Sequence, residues 1–252
     1  TASWRDRVDA ILVAWQPGIE GGNSVADILT GKVNPSGKLT MTWPIAATDH
    51  PSTANFAKEY DMYTYKNMEG WGKGNIPGVD FSNHEEDIYV GYRYFDTFKK
   101  DVAYPFGFGL SYTTFEMGKP SVKANGKNIE VSVTVKNTGK VAGKQVAQVY
   151  VTAPKGAYEK PAKELKAFGK TRELKPGESQ TLKMTLEKRD LASFDEANSQ
   201  WKVDAGNYLF QVGTDVESIK GTATLKVAEY TEKTSSACAP NVQLNYLKQK
   251  KL

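Results

Sequence analysis

A long stretch of the chain, residues 118–230, alternates between apolar and polar side chains, and this pattern constrains the fold more than any other feature. Such strands bury one face and belong to antiparallel sheets. Turn-forming residues such as Asn125-Gly126 and Lys175-Pro176-Gly177 separate them. Because the chain has only one Cys, an antibody-type disulfide is excluded, and about seven short strands predict a fibronectin type III-like sandwich. The alternation is clearest in residues 129–136, 147–152, 182–186 and 208–212.

The beginning of the chain has a different pattern, which predicts one strand–helix–strand unit. Residues Asp9–Trp15 form a continuous apolar run, typical of a strand buried on both faces within a parallel sheet. A helix is predicted to begin at Asn23 or Ser24 and to end near Gly31, followed by a half-buried strand over Lys38–Trp43. A strand buried on both faces needs neighbours, and nothing downstream supplies them. We therefore expect its partners on polypeptide preceding Thr1 or on another chain.

These patterns divide the chain into four parts and predict a mixed fold class. Residues 1–45 are the strand–helix–strand unit, and residues 46–117 are an irregular aromatic loop and linker. Residues 118–230 are the β-sandwich, and residues 231–252 are a polar, basic tail. The formal net charge is +4. The tail supplies most of that charge, so we expect a frayed tail and no nucleic-acid-binding face.

Several classes of site are disfavoured by the residue inventory. The loop Gly18–Gly22 lacks a phosphate-binding fingerprint and contains an acidic side chain, which argues against a nucleotide site. One Cys and two His leave little for a zinc centre, so no metal and no cofactor are expected. No Gly-x-Ser-x-Gly motif is present. No apolar run reaches eighteen residues, so no membrane-spanning helix is expected.

Two groups of carboxylates could be read as catalytic. For each group we prefer a structural role. Glu20 is expected to accept backbone N–H bonds where the following helix begins. The run Glu85–Asp87 is expected to form a solvated turn before a strand, with Arg93 as an ion-pair partner. Catalysis by either group is the less favoured alternative.

The aromatic loop is the best candidate for contact with a sugar. Tyr63, Tyr65 and Trp71 lie close in sequence to Asn67 and Glu69. Ring faces stack on sugar C–H groups, and polar side chains bind hydroxyls. Packing of these rings against neighbouring protein remains the competing interpretation, and the residues alone favour it.

A series of motifs, in order, resembles the carboxyl-terminal part of family 3 glycoside hydrolases of the β-glucosidase type. The resemblance implies that residues 1–45 are the last strand–helix–strand unit of an α/β sandwich domain, and that the appended domain is fibronectin type III-like. It covers residues 1 to about 228 of the chain. The motifs are Trp15–Gly22, Ala26–Gly31, Asn34–Leu39, Trp43-Pro44, Tyr89–Asp96, Pro105–Tyr112, Val135–Gly139, Val149–Val151, Leu165–Phe168, Leu174–Ser179 and Asp190–Asp195.

The resemblance also implies a reaction, the retaining hydrolysis of terminal β-linked sugars, most often glucose. In such enzymes an Asp nucleophile lies on a (β/α)₈ barrel, and a Glu acid/base comes from the α/β sandwich domain. Both are implied to lie upstream, so no catalytic residue is expected in this chain, and the chain alone is expected to be inactive. The aromatic loop, through Trp71, Tyr63 or Tyr65, is expected to contact substrate at the rim of the active site.

The expected partners follow from the same resemblance. They are the upstream barrel and α/β sandwich polypeptide and a small β-linked saccharide or glycoside, with no nucleic acid, no membrane and a possible homodimer. The substrate class suggests a periplasmic or secreted protein. The alternative function is a stand-alone fibronectin-like module that binds carbohydrate or serves a structural role.

Overall fold

The computed structural model describes residues 4–54, 84–235, 243 and 245–249. Within these residues the α-helices are α1 (Gly21–Leu29) and α2 (Tyr92–Thr97). Short 3₁₀ turns occur at Arg5–Arg7, Ala47–Asp49, Pro51–Ala54 and Lys188–Leu191. The strands are β1 (Trp43–Pro44), β2 (Val102–Tyr104), β3 (Phe115–Met117), β4 (Ser121–Asn125), β5 (Asn128–Asn137), β6 (Val146–Thr152), β7 (Glu164–Lys170), β8 (Ser179–Glu187), β9 (Ser193–Asp195), β10 (Gln200–Val203), β11 (Gly206–Gly213), β12 (Ile219–Val227) and β13 (Tyr230–Lys233).

Two four-stranded antiparallel sheets face each other and form the sandwich. One sheet has the order β12-β11-β6-β7, and in the other β5 pairs with β8 on one side and with β3 and β4 on the other. The apolar set of β5, from Ile129 to Val135, is buried together with Tyr208 and Phe210 of β11. The predicted alternation and the mixed, mostly β fold class are therefore confirmed.

Glycines at two turns explain how the sandwich strands reverse direction. Gly126 has φ +60° and lies in the two-residue connection between β4 and β5, where Asn125 pairs with Asn128. Gly177 has φ +81° before β8, and a Cβ added to it would meet no atom within 4 Å. A left-handed backbone favours glycine at both places.

A third, smaller sheet has the order β13-β10-β9, and its residues Val203 and Tyr230 pack into or against the sandwich core. Asp195, at the end of β9, is buried. Its carboxylate accepts hydrogen bonds from Nδ2 of Asn198 at 2.8 Å and from Nε2 of Gln200 at 2.9 Å. These donors, Asn198 first, lower the pKa of Asp195 to about 2 because they stabilise the ionised form.

The amino-terminal segment, residues 4–45, departs from its predicted structure. Asp9–Trp15 forms no strand, and the side chains of Leu12 and Trp15 are exposed. A strand requires a hydrogen-bonded neighbour, and no described residues supply one to this run. The predicted strand Lys38–Trp43 is also wrong. Of this region, only Trp43–Pro44 (β1) pairs as a strand, and its partner is β2.

Helix α1 begins at Gly21, before the predicted cap at Asn23 or Ser24. It ends as predicted, since Gly31 has φ +75° and its N–H donates to the carbonyl of Ile28 at 2.9 Å. None of the helices in the described ranges is long and apolar enough to cross a bilayer.

The part described between residues 84 and 117 is more regular than its sequence suggests, since it holds α2, β2 and β3. The tail also differs from a frayed end. It begins within β13, and residues 245–249 return to hydrogen-bond Glu85, Tyr89 and Lys160. The limits of the four predicted domains stay predictions.

Candidate functional site

The three aromatic residues predicted to contact substrate, Tyr63, Tyr65 and Trp71, lie outside the described residues. Their role stays a prediction. Glu20 is described and exposed, and its Oε2 accepts a hydrogen bond from Nδ2 of Asn23 at 2.7 Å. The expectation that Glu20 accepts backbone N–H bonds of α1 is wrong, because its carboxylate turns to the Asn23 amide instead.

The acidic run Glu85–Asp87 forms the expected turn, but helix α2 follows it where a strand was expected, and the turn is not fully solvated. Glu86 is buried; its Oε1 lies 3.5 Å from Nδ1 of His84, and its Oε2 has no hydrogen-bond partner among the described residues. Arg93 does not pair with this turn, since its guanidinium lies 3.0 Å from Glu164 of β7. The predicted ion pair is therefore wrong, because α2 directs Arg93 towards the sandwich.

The feature that most clearly suggests a binding surface is the set of exposed apolar side chains in the amino-terminal segment. Nine of the fourteen large exposed apolar side chains of the described residues lie there. Trp15 is 55% exposed, and Ile19 and Leu29 are more exposed still. Soluble proteins rarely leave so many large apolar groups in water unless another surface covers them.

The buried core shows the complementary distribution. Every large apolar side chain that is buried in the described residues lies at Tyr89 or later. The amino-terminal segment therefore forms no core of its own, although α1 carries three apolar side chains, Val25, Ile28 and Leu29. Val25 and Ile28 are half-buried, and Leu29 remains exposed.

Asn34 attaches this segment to the rest of the chain. Its Nδ2 donates to the carbonyl of Ala142 at 2.9 Å. Its Oδ1 accepts from the Ser111 hydroxyl and from the backbone N–H of Tyr112, each at 2.8 Å. One amide side chain thus joins three segments, and a Cβ on Gly143 would lie 2.6 Å from its Nδ2.

Backbone pairing continues this attachment beyond Asn34. Leu39 exchanges hydrogen bonds with Gly107 and Phe108, at 2.9 and 2.8 Å. Nζ of Lys38 donates to the carbonyl of Gly109 at 2.6 Å. Burial lowers the pKa of Lys38, and Asp215 partly opposes that effect. The two motifs around Asn34–Leu39 and Pro105–Tyr112 therefore form one joint.

The linker, defined as residues 84–112, covers the outer face of the sheet that contains β6. Nε2 of Gln148 donates to the carbonyls of Gly107 at 3.1 Å and Thr214 at 2.6 Å. Tyr92 stacks on Phe106 with ring centroids 4.5 Å apart. Gln148 and Tyr150 are consequently buried, although alternation predicts that they face outwards.

Sequence reasoning did not single out Asn34 or Gln148 as functional. Asn34 could have been found from its place between a helix terminator and a Pro-Ser-Gly turn. Gln148 gave no local signal, because its partners Gly107 and Thr214 are distant in sequence. No cluster of metal-ligating side chains occurs in the ranges that the structure describes.

Two protein-family models match successive parts of the chain. Residues 1–112 match the glycosyl hydrolase family 3 C-terminal domain, and residues 145–216 match the fibronectin type III-like domain. The chain belongs to glycosyl hydrolase family 3. It corresponds to the carboxyl-terminal part of that family's β-glucosidases, as the order of the motifs predicted.

Known relatives support the assignment in sequence and in structure. A β-glucosidase of Kluyveromyces marxianus is 41% identical over 89% of this chain, which spans 24% of that relative. β-Glucosidase 3B of Thermotoga neapolitana, solved in complex with glucose, is 46% identical with a TM-score of 0.81, over 93% of this chain and 30% of that one. This family 3 chain thus spans about a quarter to a third of these relatives.

Proposed function

We propose that this chain is the non-catalytic carboxyl-terminal portion of a retaining β-glycosidase, most specifically a β-glucosidase that hydrolyses terminal β-linked sugars. The observation that carries the proposal is the open apolar surface of residues 4–45, which is joined firmly to a well-packed sandwich. Burial of such a surface stabilises an association by about 25 cal/mol per Å² of apolar area.

In this proposal the chain completes the domain that bears the acid/base Glu, and the sandwich buttresses the barrel that bears the Asp nucleophile. The nucleophile attacks the anomeric carbon while the acid protonates the leaving oxygen, and water then hydrolyses the glycosyl-enzyme. Glucose is the proposed sugar, because relatives of Thermotoga neapolitana and Kluyveromyces marxianus were solved in complex with it. Periplasmic or secreted location stays a proposal drawn from that substrate class.

Complementation tests the proposal. This chain and the upstream portion of the Thermotoga neapolitana enzyme are produced separately and assayed with an aryl β-glucoside, alone and mixed. We expect no turnover by either part and turnover by the mixture. The assay is repeated with a single-chain fusion, in which the two parts cannot dissociate from each other.

Trp15→Ala is expected to raise the concentration of this chain needed for half-maximal activity by about tenfold, because it removes an apolar anchor. Phe168→Ala is the matched control, since Phe168 is 70% exposed but lies on the sandwich. Turnover by the chain alone, or an inactive fusion beside an active parent enzyme, contradicts the proposal. Sugar binding by the unmixed chain favours the stand-alone module.

The predicted substrate contact of the aromatic loop has its own test. Trp71→Ala in the active fusion is expected to raise KM for disaccharides more than KM for an aryl glucoside, because only disaccharides present a leaving-group sugar to stack on the ring. Unchanged KM across disaccharides rejects the contact and leaves the complementation result intact.

A further inference from the structure

The carboxyl-terminal segment Asn245–Gln249, called the strap below, is held against two distant parts of the chain. The backbone N–H of Leu247 donates to the carbonyl of Glu85 at 2.7 Å. Nε2 of Gln249 donates to the phenol oxygen of Tyr89 and to the carbonyl of Lys160, each at 3.0 Å. The strap thus bonds both the linker and the loop between β6 and β7.

Tyr89 lies at the centre of this contact. Its ring is 1% exposed, and its hydroxyl donates to Oε2 of Glu159 at 3.1 Å while it accepts from Gln249. Burial raises the pKa of Tyr89 to about 12, so the phenol keeps its proton at neutral pH. Linker, sandwich loop and strap therefore meet at one side chain.

The charges of the two sides are complementary. The cleft that receives the strap, formed by Glu85–Tyr89 and Glu159–Lys160, is rich in carboxylates. Partial burial and the carboxylates of Glu196 and Glu159 raise the pKa of Asp87. The chain beyond residue 233 contains no acidic residue and carries Lys248, Lys250 and Lys251.

We propose that this acidic cleft is a peptide-binding site whose ligand is the chain's own carboxyl-terminal segment, and that the bound strap locks the linker to the sandwich. The occupant is held by the side chain of Gln249 and the backbone N–H of Leu247, which supply the directional hydrogen bonds, and it carries the basic charge of Lys248.

Hydrogen exchange in the intact chain is the first test. Gln249→Ala removes both side-chain hydrogen bonds, and we expect exchange in residues 84–90 to rise roughly fivefold or more. Gln243→Ala is the matched control, because Gln243 is an exposed glutamine near the strap. Equal exchange in the two variants overturns the proposal.

Binding in trans is the second test. A labelled peptide of residues 241–252 is titrated into the chain shortened to residues 1–240 and into the intact chain, with fluorescence anisotropy as the readout. We expect saturable binding to the shortened chain only, weakened at least fivefold by Gln249→Ala in the peptide. Raising the salt from about 50 to 500 mM is also expected to weaken binding, because it screens the charges.

Three outcomes of the titration reject the site. They are equal affinity for a scrambled peptide, equal binding to the intact chain, and no binding to a shortened chain that keeps its β-sheet circular dichroism. If the shortened chain does not fold, the hydrogen-exchange comparison alone decides the matter. If the intact chain forms dimers and Gln249→Ala makes them dissociate, the cleft binds the strap of a second copy. That result would overturn the intramolecular lock.

Discussion

Gly107→Ala is the sharpest test of how the linker is held on the sandwich. Gly107 has φ +84°, and a Cβ built on it would lie 2.7 Å from Nε2 of Gln148 and closer still to its Oε1. Gln148 is 3% exposed and cannot swing into solvent without breaking its bonds. The substitution therefore strains the backbone and displaces the amide that anchors the linker.

The magnitude follows from these two effects. A left-handed backbone costs a non-glycine residue about 1–2 kcal/mol. Displacing Gln148 breaks its hydrogen bonds to the carbonyls of Gly107 and Thr214, at about 1 kcal/mol each. The free energy of unfolding should fall by about 3–4 kcal/mol in total, which corresponds to a Tm lower by roughly 6–16 °C.

Gly177→Ala is the matched control, because Gly177 has φ +81° and nothing lies near its added Cβ. It should cost only the backbone strain, about 1–2 kcal/mol. Both variants are measured by thermal and urea unfolding followed by circular dichroism. In a Gln148→Ala background, Gly107→Ala should cost no more than Gly177→Ala. A cost for Gly107→Ala that equals the control in the native background refutes the reasoning.

Three further predictions address other contacts. Asn34→Ala removes three hydrogen bonds and should lower the free energy of unfolding by about 2–4 kcal/mol, measured by urea denaturation. Asp195→Asn should remove an acid-dependent part of stability: the pKa of Asp195 is depressed to about 2, so its stabilisation is full above about pH 4 and is lost as the pH falls towards 2. The difference from the native chain in unfolding free energy should therefore shrink over that range. Phe210→Ala should cost about 3–5 kcal/mol by urea denaturation, because Phe210 is fully buried in the sandwich core.

Controls for Asn34→Ala and Phe210→Ala lie on the surface. Asn23→Ala removes one exposed side-chain bond, and Phe168→Ala removes an exposed ring, so each should change the free energy of unfolding by no more than about 0.5 kcal/mol. If the unfolding free energies of Asp195→Asn and the native chain fell in parallel between about pH 4 and pH 2, the pKa argument would be contradicted. Equal costs for Asn34→Ala and Asn23→Ala would contradict the role of Asn34 as a joint.

The sandwich could be predicted because its signal is local. Side chains of a strand alternate between two faces, so the series Ile129, Val131, Val133 and Val135 records a buried face directly. The motifs of the linker could be recognised for a similar reason, since each is a short run with a fixed order. Neither inference needs to know which distant residues are in contact.

The wrong predictions share the opposite cause, because each depends on a contact between segments that are distant in the sequence. The run Asp9–Trp15 has the composition of a buried strand, but pairing depends on a neighbour that the described residues do not supply. Gln148 is polar yet buried, because the linker returns to cover it. The strap is basic and polar, yet Gln249 finds Tyr89 across a long sequence separation. Contacts between distant segments leave no period in the sequence.

Strand β6 lies between two packed layers, and this has a consequence for substitution. Its residues Ala147–Val151 are all buried, whereas β8 buries only every second residue. A systematic scan of single substitutions should therefore show tolerance at alternate positions of β8 and at none of the central positions of β6. Variation among natural relatives should follow the same rule. Both faces of β6 should vary little, because the sandwich core constrains one face and the linker constrains the other.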